Sequence, residues 1–211
     1  MPSTFTAPVG ALLLLAGGVG TAGLGAMQYG TANVGEVAAL PGSNRPYFVW
    51  LICLAVLLCL LASGLAAVAS GLADTPVTRQ WAAAVLTSAA VGTAGVLAQL
   101  AVRTANVEIA LSRGADRTLT ELEFAANQLG HTGLMLAFFA LLGLAAARGG
   151  DGLLAAAAAL AGFVLLVVIV IGAGVPLLVT GVAAAVVGGC SLGSPGLRRV
   201  ATTTQAPDRM P

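Results

Sequence analysis

Apolar and polar positions follow one another along this chain in blocks, not residue by residue. Apolar blocks cover residues 9–28, 47–73, 81–102, 131–147 and 153–190, with short polar segments between them. About 20 apolar residues in helical form cross the roughly 30 Å hydrocarbon core of a bilayer. The pattern therefore predicts an all-α fold, a polytopic transmembrane helical bundle. The last block has 38 residues, roughly 57 Å as one helix, so it must break or bend. Gly172, Gly174 and Pro176 mark the break, because Gly and Pro punctuate helices. Two spans joined by a tight turn bring the total to six. The competing reading is one kinked, strongly tilted helix.

The expected organisation is a single transmembrane domain over residues 1–190. Its spans fall at about 9–28, 47–73, 81–111, 119–147, 153–171 and 175–190, and residues 191–211 are expected to form a mobile polar tail. No Lys or Arg precedes the first block, so the positive region of a signal peptide is missing and the first helix is expected to be retained. Tyr29, Tyr47, Phe48 and Trp50 gather where an aromatic belt would sit, and Trp81 marks the opposite interface. Residues 74–79 read as a polar turn between antiparallel neighbours.

Residues 103–130 are too polar for lipid, yet they are patterned. Residues 103–111 lack Gly and Pro and extend the third helix, and 112–116 read as a turn. Thr118 with Glu121 has capping-box spacing, with Thr120 and Glu123 as a second register. The fourth helix is therefore expected to start near Leu119. The third and fourth helices then project beyond the membrane as a hairpin.

Two polar stripes lie on this hairpin. Gln99, Arg103 and Asn106 are spaced i, i+4, i+7, and Glu123, Asn127 and His131 are spaced i, i+4, i+8. Each set occupies one side of its helix. A turn centred near residue 115 sets 103 opposite 127 and 99 opposite 131. Arg103 is then expected to pair with Glu123 or Asn127, and Gln99 with His131. These six residues are the candidate site. They serve either as a lock between helices or as a binding site for a small polar ligand, a headgroup or a partner loop. One Glu and one His can act as general acid and base, but no nucleophile motif stands beside them.

Composition removes several functions. Charged residues make up 8% and hydrophobic residues 58% of 211, whereas a soluble domain carries roughly 25% charged residues. The net charge of +1 argues against a nucleic-acid partner. All nine basic residues are Arg, so no Schiff base can form and no GxxxxGK phosphate loop exists. The single histidine excludes a bis-His haem or a His-rich metal site, and no cofactor is expected. Cys53, Cys59 and Cys190 form no CxxC and read as small buried hydrophobes. Among the deep hydroxyls, Ser63, Ser70, Thr87, Ser88, Thr93 and Thr180 are expected to bond their own helix backbone. With so few ionisable groups at depth, a proton-driven transporter is disfavoured.

Small-residue ridges, Gly17–Thr21–Gly25 and Gly181–Ala185–Gly189, permit close helix contacts. They serve internal packing, or else a homo-oligomer or a membrane protein partner. Six spans put both termini on one side with Arg79, Arg148, Arg198, Arg199 and Arg209, against Arg45, Arg103, Arg113 and Arg117 on the other. The positive-inside rule places that terminal side in the cytoplasm. The overall pattern resembles that of small bacterial membrane proteins, a compositional likeness that carries no function. The expectation is a multi-pass protein of the cell membrane, more a non-enzymatic accessory, scaffold or sensing subunit than an enzyme. The alternative is a small-molecule or lipid-handling permease or membrane enzyme, with a polar pocket between the third and fourth spans.

Overall fold

The computed structural model describes residues 6–27, 37, 45–114, 116–149, 151–171 and 176–193. They form six helices: α1 (Thr6–Gly25), α2 (Arg45–Leu72), α3 (Pro76–Arg113), α4 (Arg117–Arg148), α5 (Gly152–Ile171) and α6 (Pro176–Gly193). Each helix packs on the next, and α6 returns to α1, so the six close into a ring. The α3–α4 contact is the most extensive, followed by α1 with α6 and α1 with α2. Five helices are long and apolar enough to cross a membrane, and α6 is apolar but shorter. The protein is a multi-pass membrane helical bundle.

The 153–190 block does break. Its halves are the separate helices α5 and α6, and Gly193 at the end of α6 lies against Leu153 at the start of α5. Residues 172–175 lie outside the described residues. A single kinked helix is excluded by this antiparallel return.

Buried positions recur in steps of three and four along the helices. On α2 the seam includes Trp50, Leu54, Leu58, Leu61, Leu65 and Val68, and on α3 it includes Ala82, Val85, Ala89 and Val96. That seven-residue repeat is the signature of left-handed, shallow-angle helix packing. In lipid the helices gain no hydrophobic drive to associate, so close van der Waals approach must hold them. Glycine supplies it. A Cβ on Gly92 would stand 2.5 Å from the Leu134 nitrogen, and one on Gly133 would stand 2.5 Å from the Gly92 nitrogen. Gly18 and Gly181 do the same between α1 and α6, and Gly17 and Gly64 between α1 and α2.

The expected ridges are thus used inside the molecule, but not as drawn. Gly17 faces α2 whereas Gly25 faces α6, and Gly188, not Gly189, continues the Gly181 ridge onto α1. Gly189 is exposed with nothing near it.

Several boundaries differ from the hydropathy blocks because caps, not apolar content, start and end helices. α3 begins at Pro76, five residues before Trp81. Thr75 caps it, accepting from Thr78 N–H while Thr78 Oγ1 accepts from Thr75 N–H, and Pro occupies the first turn. α4 begins at Arg117, not Leu119. Its cap is Asp116, whose carboxylate accepts from Leu119 N–H, so the Thr118–Glu121 capping box does not form. Glu121 instead pairs with Arg117 at 2.9 Å on the exposed surface. α6 runs to Gly193, so Ser191 is no part of a tail; it is buried and donates to the Val187 carbonyl. Residues 194–211 and Tyr29 lie outside the described residues.

Two side-chain expectations are also corrected. Tyr47 and Trp50 do not sit in an exposed belt; both are buried, and Trp50 Nε1 donates to the Leu24 carbonyl at 3.0 Å, tying α2 to the end of α1. Cys53 and Cys59 are exposed on the outer face of α2 instead of buried, so their apolar character meets lipid, not core.

Helix length fixes where the hairpin leaves the membrane. The 38 residues of α3 and 32 of α4 correspond to about 57 and 48 Å, against a hydrocarbon core of roughly 30 Å. Half-exposed Trp81 and buried Arg103 are separated by 22 residues on α3, about 33 Å. Counted from Trp81, one bilayer thickness ends near Arg103, and ten residues of α3 remain beyond it.

Candidate functional site

The site lies where the apolar seam between α3 and α4 turns polar. On α3 the inward series Ala89, Gly92, Val96 continues without a break in spacing as Gln99, Arg103 and Asn106, all buried. On α4 the matching series passes from Asp116 and Thr120 through Glu123 and Asn127 to Gly130 and Leu134. Apart from His131, both polar stripes therefore continue the coiled-coil seam toward the hairpin tip.

Register decides which residues meet. Gly130 packs its backbone on Val96, and Gly92 packs on Leu134. At the tip, Asn106 is buried in full; its Nδ2 donates to Thr120 Oγ1 at 3.0 Å and its Oδ1 accepts from Asp116 N–H at 2.8 Å. These contacts pull the start of α4 down beside Ala110, one turn short of the end of α3. Gly114, with φ of 87°, provides the left-handed residue that this turn requires. Between tip and glycines, Arg103 falls opposite Glu123 and Gln99 opposite Asn127, one turn from the register expected of a symmetric turn.

The Arg103–Glu123 pair is present, with Nη1 and Oε1 3.5 Å apart and side chains only 11% and 14% exposed. Gln99 reaches the same carboxylate from one turn deeper on α3. Tyr47 joins from α2, set against Arg103 and Thr104. Tyr47 is a member that the sequence reading missed; its place in the α2 seam, three residues before Trp50, was the available signal. Thr120 was also missed as a partner of Asn106, although it stands in the α4 seam.

The expected Gln99–His131 bond is not formed. His131 lies almost fully buried, and its Nδ1 faces the Asn127 carbonyl oxygen at 2.8 Å, one turn back on its own helix. A carbonyl only accepts, so Nδ1 of the neutral ring carries the proton and Nε2 presents a lone pair. Nε2 has no partner among the described residues, and the same holds for Gln99 Oε1 and Asn127 Oδ1. The expectation that Thr93 and Thr180 bond back to their helices also fails: both hydroxyls, and that of Thr21, are buried without a partner among the described residues.

The candidate residues thus fall into two tiers. Arg103, Glu123 and Asn106 are bonded between helices at the membrane edge. His131 and Asn127 lie deeper with acceptor atoms unused, and Gln99 touches both tiers. At the opposite end of the bundle, Arg148 stands 3.9 Å from Asp74, linking α4 to the α2–α3 turn. Among the described residues no cluster of three or more His, Cys, Asp or Glu could hold a metal.

No family model, no curated protein and no solved structure matches the chain.

Proposed function

We propose that the protein is a non-enzymatic accessory, scaffold or sensing subunit of the cell membrane, with the α3–α4 hairpin as its projecting element. The observation that supports this reading is the consumption of the hairpin's polar groups in interhelical bonds. Arg103 with Glu123, and Asn106 with Thr120 and Asp116, stiffen a rod that stands clear of the bilayer. Polar pairs between neighbouring helices are how membrane bundles satisfy such groups. A rigid projection bearing Glu108, Arg113, Arg117 and Glu121 on its exposed surface suits recognition by another protein. By the positive-inside rule both termini lie in the cytoplasm and the hairpin on the far side.

The test is purification from native membranes in mild detergent, followed by mass spectrometry of what remains bound. A stoichiometric protein partner that is lost when the hairpin surface is altered (Arg113→Glu with Arg117→Glu) is the expected result. Recovery of the chain alone, with a lipid or small molecule attached, overturns the accessory reading. It would favour the second one, a permease or membrane enzyme that uses Gln99, Asn127 and His131, for which their unused acceptor atoms speak.

A further inference from the structure

The last carbonyls of a helix meet no N–H group of their own helix four residues on, and a neighbouring side chain can supply one. At the end of α1 that donor is aromatic. Trp50 Nε1 donates to the Leu24 carbonyl at 3.0 Å, which also accepts from Met27 N–H at 3.2 Å. Trp50 stacks on Tyr47, one turn earlier on α2, with ring centroids 6.0 Å apart and planes 17° from parallel. Both residues are buried, so in a close-packed seam neither ring turns without displacing the other.

The hydroxyl end of Tyr47 enters the site already described. It lies against Arg103 and Thr104 of α3. Donor and acceptor roles there follow from chemistry. A guanidinium only donates, so the Tyr47 oxygen accepts from Arg103. Thr104 Oγ1 gives its own proton to the Leu100 carbonyl at 2.8 Å, so toward Tyr47 it is an acceptor. Arg103 Nη1 in turn faces Glu123 at 3.5 Å. One line of contacts therefore runs from α4 through α3 and α2 to the last turn of α1: Glu123, Arg103, Tyr47, Trp50, Leu24. α1 and α4 have almost no direct contact, so any influence of one on the other travels through intermediaries.

We propose that this line couples the hairpin to the end of α1. When the Arg103–Glu123 pair opens, Arg103 and Tyr47 move together, the stacked rings shift, and the indole leaves the Leu24 carbonyl. A partner bound to the hairpin thereby gains a route to a helix that it does not touch. The proposal rests on the hairpin being the projecting, partner-facing element. The two readings fail separately, because the coupling is measured on the chain alone and the partner by what is purified with it.

The chain has two tryptophans, and the second is an internal reference. Trp81 sits at the opposite end of α3 with its ring over Gly143. The full chain, labelled with ¹⁵N-tryptophan and reconstituted in lipid nanodiscs, is followed by hydrogen exchange of the two indole N–H groups. Glu123→Gln keeps the shape and removes the charge. Exchange at Trp50 is expected to accelerate about tenfold or more, with Trp81 within about twofold of the wild-type rate. Tyr47→Phe keeps the ring and removes the hydroxyl; in that background Glu123→Gln should add no more than about twofold at Trp50. Arg103→Lys, which keeps the charge but not the planar fork, opens the pair from the other side and should reproduce the Glu123→Gln result; it serves in place of Glu123→Gln where that variant does not fold. An unchanged Trp50, an equal acceleration at both tryptophans, or a full effect that survives Tyr47→Phe would each overturn the proposal.

Discussion

Replacing Arg103 by Met and Glu123 by Leu, singly and together, measures what the membrane-edge pair contributes. The charges are 3.5 Å apart and both side chains are about nine-tenths covered. Coulomb attraction at that separation is about 5 kcal/mol with an effective dielectric of about 20 and about 1 kcal/mol in water. Desolvation offsets part of it, so the pair taken as a whole has a small net effect. Removing one partner is different, because it strands the other charge among Gln99, Tyr47 and the seam. Each single variant is expected to lose about 3 kcal/mol. The double variant, which leaves no charge behind, is expected to lose about 1 kcal/mol or less. The cycle then gives a coupling of several kcal/mol, read from reversible unfolding in mixed micelles. Additive single effects, with coupling below about 0.5 kcal/mol, would refute the reasoning: Arg103 and Glu123 would then be solvated independently, and the lock between α3 and α4 would not exist.

Two further outcomes follow from the packing. Gly133→Val puts carbon where the Gly92 backbone already stands, and backbone cannot swing aside as a flexible side chain can. A loss of about 3 kcal/mol is expected, whereas Gly189→Ala, with nothing within 4 Å, should be neutral or gain up to about 1 kcal/mol from helix propensity; equal losses in the same unfolding assay would refute the placement of α4 on α3. Asn106→Leu removes both bonds that set the hairpin register, so amide exchange at 117–120 should accelerate at least tenfold with exchange at 134–144 unchanged, and protection retained at the tip would contradict the role given to Asn106.

The membrane character was legible because it depends on composition over 20-residue windows, which no tertiary contact alters. Six helices and the division of 153–190 followed from length against bilayer thickness. Helix starts were less legible. Thr75 and Asp116 set them through local bonds, while the hydropathy block placed one at Trp81 and the capping-box spacing of Thr118 and Glu121 placed the other near Leu119. The pairing of Arg103 with Glu123 was among the expected ones because charge and spacing both point to it. The Gln99–His131 pairing failed because spacing along one helix says nothing of stagger between two.

What the sequence by itself determined is the solvent of this protein, its helical class, and the stripes from which any site must be drawn. What only the tertiary structure decided is register and direction. Backbone contact at Gly92, Gly95, Gly130 and Gly133, with the Asn106 clasp, slid α3 against α4 by one turn. Closure of α6 onto α1 brought Ala22 and Gly181, 159 residues apart in the chain, into backbone contact. These are long-range steric facts. A glycine permits close approach from either side of a helix, and its one-dimensional position does not say which neighbour takes it.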